Sequence, residues 1–128
     1  MTFLTLLLSI KITVTALMVA VPFLFLPAEK LAATMGISGQ VTAIFRLYGI
    51  AITALLVGYG AGIPVAESGV FPWGVALMGL VSNAGAAAVL FVTGRTGRPR
   101  ILASFFAAVA LALVTAMTKP DMALAPVL

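Results

Sequence analysis

Four apolar runs, separated by short stretches that hold most of the charge, decide what this sequence can become. They extend from Phe3 to Leu26, Val41 to Ile63, Phe71 to Thr93 and Ile101 to Met117. About 20 apolar residues suffice to cross a bilayer as a helix, and lipid offers nothing else to satisfy backbone donors and acceptors. The reading is all-α: a polytopic, four-transmembrane-helix antiparallel bundle. Composition removes the soluble alternative. Only 8% of the residues are charged and 63% are hydrophobic, whereas a soluble domain carries roughly a quarter charged residues. The 128 residues suffice for one transmembrane domain, residues 1–128.

Local chemistry places the boundaries. Pro27, Pro64 and Pro120 cannot donate to a continuing helix, so the spans are expected to stop at about 26, 63 and 117. Gly94 suits a C-terminal cap of the third span, and Ser38 and Ser68 suit N-caps of the second and third. Pro22 is expected to kink the first span by removing one backbone hydrogen bond. Trp73 stands where an aromatic belt residue belongs. In "PAEKLAATMGISGQ" (27–40), Leu31 and Met35 share a face and Gly36 can end a turn, which predicts a short interfacial helix over about 28–36. The tail from Lys119 is expected to be irregular. The first run has no basic residue before Lys11 and is too long for a signal peptide, so it reads as a retained helix.

The formal charge is +4, but three of the basic residues, Arg95, Arg98 and Arg100, cluster in "GRTGRPR". Such a loop faces the cytoplasm and anionic lipid, not nucleic acid. Alternation then predicts both termini outside, in a membrane whose plain positive-inside pattern suits a bacterial inner membrane. Cysteine and histidine are absent. Disulfides, thiolate metal sites, histidine-ligated haem and histidine-based nucleophile pairs are thereby excluded.

Polar residues inside the spans are the candidates for function. Arg46 lies within reach of a membrane surface, where it can snorkel as an anchor, pair with Glu29, or hold an anionic headgroup. Lys11 is deeper and has no acidic residue in any span to answer it. It is expected to snorkel outward or meet a partner subunit. Asn83, near the middle of the third span, is expected to bond across helices. Tyr48 and Tyr59 read as interface or packing residues. With Arg46 and Lys11, the residues Arg95, Arg98, Arg100, Trp73 and Tyr48 form the expected lipid- or partner-facing set.

Helices in lipid associate through close packing of small residues. The second span offers Ala54, Gly58 and Gly62. The third offers Gly79 with Asn83, and the fourth Ser104, Ala108 and Ala112. Internal bundle packing is the plainer reading of these stripes, and a partner interface the sharper one. Thr2, Thr5, Ser9 and Thr13 share a face of the first span, where hydroxyls can bond the preceding turn.

The stretch "LPAEKLAATMGISGQVTAIFRLYGIAITALLVGYGAGI" (26–63) resembles small four-helix bacterial membrane proteins of the DoxX-like type. Met35-Gly36 and Gly49…Gly58 look like that family's landmarks, over the first half of the chain. The resemblance implies a four-helix bundle. Many members carry an acidic residue in the second helix, where this chain has Ile50-Ala51-Ile52. Small multidrug transporters and ion-binding rotor subunits need an intramembrane carboxylate that is absent here. Catalysis is not expected, since nucleophile and base candidates are lacking. Two functions follow from the residues. One is an accessory subunit of a larger membrane complex, for example respiratory or photosynthetic. It would dock on other integral membrane subunits by helix packing and contact membrane lipid, quinone or pigment tails, with no covalent cofactor. The other is a self-contained carrier or channel for a small solute, with Arg46 and Asn83 along its path.

Overall fold

The computed structural model describes residues 1–35, 42–93 and 97–128. Every named element among the described residues is a helix, with no strand, and four helices are long and apolar enough to cross a membrane. These are α1 (Phe3–Phe25), α3 (Thr42–Glu67), α4 (Trp73–Thr93) and α5 (Arg98–Thr118). The short α2 (Ala28–Met35) follows the first span, as its sequence predicts, and a single turn, α6 (Pro120–Ala123), follows the last. The tail is thus less irregular than expected. Beyond α6 it returns to the N-terminus, where Val127 N–H donates to the Met1 carbonyl at 3.0 Å and Thr2 pairs with Pro126.

Pro22 does not interrupt the first span. Ala16–Ala20 form a π-helical turn in which the Val21 N–H reaches the Ala16 carbonyl, five residues back. The ladder is widened just before the residue that cannot donate, and Val21–Phe25 resume as α-helix. At the start of α1, Thr2 caps the helix by accepting from Thr5 N–H at 3.0 Å.

Pro64 does not end the second span either, contrary to the sequence reading; α3 runs on to Glu67 with Pro64 inside it. A proline in the last turn forfeits only one donor. The true stop is Gly69, in a left-handed conformation at φ 83°. Gly69 N–H donates to Ala66 and Val70 N–H to Val65, which satisfies two of the last carbonyls of the helix. Ser68 belongs to the same stop. Its hydroxyl donates to the Val65 carbonyl at 2.6 Å, so it closes α3 and does not open α4. The last span begins earlier than expected, at Arg98 rather than Ile101, because Gly97 turns the chain at φ 73° and Pro99 fits a first helical turn. The expected caps at Ser38 and Gly94 lie outside the described residues.

The N-terminus, the α3–α4 turn and the C-terminal tail meet at one end of the bundle. There the Glu67 carboxylate accepts from Thr2 N–H at 3.0 Å and from the Thr5 hydroxyl, and lies 3.4 Å from the Met1 amino nitrogen. An acidic group at a helix N-terminus is favoured by the helix dipole. Thr2 and Thr5 are therefore engaged, whereas Thr13 faces out and bonds back to the Ser9 carbonyl. The core has two parts. One, near this end, gathers around Leu4, Leu8, Tyr59 and Leu113; the other, near the basic end, around Phe23, Phe45, Leu102 and Phe106.

Candidate functional site

Arg46 resolves in a way the sequence reading did not weigh. It makes no ion pair with Glu29. Its guanidinium donates to the Phe23 carbonyl at 2.7 Å and to the Leu26 carbonyl at 2.6 Å. Phe23 lies in the last turn of α1 and Leu26 caps it, at the end where carbonyls lack helical partners and the helix dipole is negative. Arg46 therefore ties α3 to the C-terminus of α1. Close packing supports the tie, since a Cβ on Gly49, one turn further along, would come within 2.9 Å of the Leu24 side chain. Arg46→Ala is expected to lower stability by about 2 kcal/mol, the worth of charge-assisted bonds that lose their donor. Arg46→Lys should recover about half, because an ammonium cannot fork to both carbonyls. Unfolding by denaturing detergent in mixed micelles measures both; equal stability of the alanine variant and the parent protein would refute the tie.

The small-residue stripes divide between two roles. Gly58 lies against Met78, and Gly62 against Val75 and Leu8. Gly79 joins three helices, with Leu113 of α5 on one side and Tyr59 of α3 on the other. Ala112 is half-buried. Ala54, Ser104 and Ala108 instead face outward, which departs from the internal packing expected of them. Trp73 is 52% exposed at the first turn of α4, where a belt residue was predicted, with its ring 4.6 Å from Phe71. Arg100 lies over the Phe91 ring at 6.0 Å. Arg95 and the side chain of Arg98 lie outside the described residues.

The Gly58–Met78 and Gly62–Val75 contacts join α3 and α4 beside their connecting turn. Further along, a cavity of about 510 Å³ separates them. Its rim carries residues that are exposed on the outer face of the bundle, Ile44 and Tyr48 from α3 and Gly85 and Val89 from α4. Its inner wall is buried and comes from α1 and α5, with Val19, Phe23, Leu102 and Phe106. The opening therefore points sideways, toward the hydrocarbon that surrounds a membrane-spanning bundle. The π-helical turn lies on this wall, and Thr15 and Val19 beside and within it both line the cavity.

Lys11 lines the same cavity, which corrects the expectation that it snorkels outward or meets a partner subunit. It is 4% exposed and turns inward. The reason is aromatic. Its Nζ stands 4.4 Å from the Phe106 ring centre, 5.5 Å from Phe105 and 6.0 Å from Tyr59. Ring faces attract a cation where no water competes. The acidic residues of the chain are Glu29, Glu67 and Asp121, and none of them lines the cavity.

Three more polar groups converge there. Asn83 is fully buried, and its amide nitrogen donates to the Tyr59 hydroxyl at 3.0 Å and to the Gly79 carbonyl at 2.6 Å. This is the interhelical bond expected of it. Its carbonyl oxygen, however, has no partner among the described residues, and neither has the buried Thr15 hydroxyl. Tyr59 accepts from Asn83, which leaves its own O–H to donate. Sequence reasoning missed Thr15 and Tyr59 as site residues. Thr15 lies one turn beyond Lys11, and that i, i+4 spacing was the available signal. The two residues expected to share a solute path part company: Asn83 lines the cavity and Arg46 does not.

No family model matches this chain, and no curated protein or solved structure does.

Proposed function

We propose that this protein is a multi-pass membrane protein that binds an amphiphilic, lipid-like molecule inside its bundle. The observation that carries the reading is the sideways-opening apolar cavity, whose inner end holds two buried polar atoms, Thr15 Oγ1 and Asn83 Oδ1, without partners among the described residues. Buried polar atoms are ordinarily satisfied, and each exception calls for a partner such as a ligand, an ion or a water. Pockets for small apolar ligands have this volume and this sparing use of polar groups. The ligand's apolar body would lie along Val19, Phe23 and Leu102, and its polar head would meet Lys11, Thr15 and Asn83. A ligand dissolved in the bilayer would reach the cavity between α3 and α4 without crossing water.

The test uses the full chain in non-ionic detergent, with native mass spectrometry to count retained oleate, oleyl alcohol and a short-chain quinone. A Cβ added at Gly85 meets nothing within 4 Å, so Gly85→Phe should fold normally while obstructing the mouth of the cavity. The expected result is one retained amphiphile per chain, reduced by about tenfold in that variant, which corresponds to about 1.4 kcal/mol. Retention of none of the three probes, or undiminished retention by Gly85→Phe, would refute the reading.

A second reading, as a subunit of a larger membrane complex, is favoured by Ser104 and Ala108. Their side of α5 faces out and would let another helix approach closely. Co-migration with a large complex on a native gel supports it, and migration as a monomer or small homo-oligomer opposes it.

A further inference from the structure

The polar groups at the inner end of the cavity are specific enough to name the head of the ligand. We propose that the cavity takes a single-chain amphiphile with a carboxylate head, of the fatty-acid class, and that Lys11 is its counter-ion. This rests on the reading of the cavity as a ligand site.

Charge is the first argument. Among the described residues Lys11 is the lone amine on the cavity wall, and none of Glu29, Glu67 and Asp121 accompanies it. Aromatic faces soften a buried cation but do not neutralise it. An anionic head completes the pair, and an alcohol or a quinone carbonyl does not. Hydrogen bonding is the second argument. The ammonium, the Tyr59 O–H and the Thr15 O–H are all donors, and Thr15 has no acceptor among the described residues. A carboxylate is acceptor-only, with about four lone-pair positions to offer. The Asn83 carbonyl oxygen, which likewise has no donor among the described residues, lies on the same cavity wall as an acceptor for an N–H of the ammonium.

Depth and shape are the third argument. Lys11 lies about 12 Å along α1 from Phe3, and Asn83 about 15 Å along α4 from Trp73, at 1.5 Å per residue. Both helices start from the same end of the bundle, so the head site lies near mid-membrane. A two-chain phospholipid would have to drag its whole headgroup to that depth. A single chain brings only its carboxylate, and its tail can lie along the apolar wall toward the basic end or leave between Ile44 and Val89.

The experiment compares oleate, methyl oleate and a phosphatidylglycerol, each offered to the full chain in non-ionic detergent and counted by native mass spectrometry. Oleate should be retained at one per chain, and methyl oleate at least about tenfold more weakly, because the ester cannot pair with the ammonium. Lys11→Met should lose the preference for oleate over the ester. Equal retention of oleate and its ester by the parent protein, both lost in Gly85→Phe, would overturn the carboxylate assignment and leave the cavity reading standing. Oleate retained equally by Gly85→Phe would overturn the cavity reading itself. Phosphatidylglycerol retained in preference to oleate would overturn the single-chain class. The comparison of acid and ester is made on the unaltered chain, so it stands even if a Lys11 variant fails to fold.

Discussion

Gly79→Leu should destabilise the bundle by about 3 kcal/mol, at the upper end of what overpacking a close-fitted interior costs. The position joins three spans. A Cβ at Gly79 would stand 2.9 Å from the Leu113 side chain of α5 and 2.9 Å from the Tyr59 ring of α3. Both neighbours are buried, with Leu113 at 0% and Tyr59 at 1% exposure; Leu113 is off the cavity, and Tyr59 can yield only toward it. Displacing Tyr59 would also break the hydroxyl contact with Asn83. The Asn83 amide would then lose one of its two acceptors. Unfolding in mixed micelles reads the loss. A second substitution, Leu113→Ala, opens space on one side and should restore part of it, which makes the two changes non-additive as packed neighbours are. If Gly79→Leu unfolds with the parent protein, the three-helix junction is not the tight contact described. The prediction carries a functional corollary. Tyr59 and Asn83 also face the cavity, so Gly79→Leu should weaken amphiphile retention along with the fold, whereas Gly85→Phe should weaken retention alone.

The four spans and the short helix after the first were legible because hydropathy over about 20 residues is a strong signal with one physical solution in lipid. The ends were less legible, and Pro64 shows why. A proline forbids a donor but does not forbid a last helical turn, and Gly69 was the residue whose backbone freedom made the stop. Arg46 shows a different limit. The sequence offered lipid headgroups and Glu29 as its partners, since side-chain charge is what a sequence displays. The partners are backbone carbonyls at the end of α1, which no residue type announces. The stripe residues divided because small side chains permit close approach without saying which helix approaches. Gly58, Gly62 and Gly79 lie against other helices, whereas Ala54, Ser104 and Ala108 are exposed. Lys11 was singled out for lacking an acid, and that part stands. Its direction was illegible because Phe105, Phe106 and Tyr59 come from α5 and α3, far away in the chain, and only folding brings their faces to it.

Lys11→Met should make the protein more stable, by about 1–2 kcal/mol, while removing its preference for an acidic amphiphile. A lysine near the centre of a bilayer costs about 2.5–3.5 kcal/mol. The ring contacts return about 0.5–2 kcal/mol of that. Methionine keeps the length, loses the charge and suits a wall of aromatic and aliphatic groups. The direction of the change separates two roles that the structure alone would leave alike. A lysine that holds the bundle together costs stability when removed, as Arg46 should. A lysine kept for a ligand costs stability while it is present, because its charge is answered only when the ligand is bound. The comparison therefore has to be made twice, on protein freed of amphiphile and on protein saturated with oleate. In the first condition Lys11→Met should unfold later than the parent chain. In the second the order should reverse or the difference vanish, since oleate stabilises only the form that binds it. Loss of stability in the amphiphile-free variant would make Lys11 a structural cation and remove the charge argument for the acidic head. A gain without oleate that persists unchanged in its presence would show that oleate does not answer Lys11, and would assign the cavity to a neutral ligand.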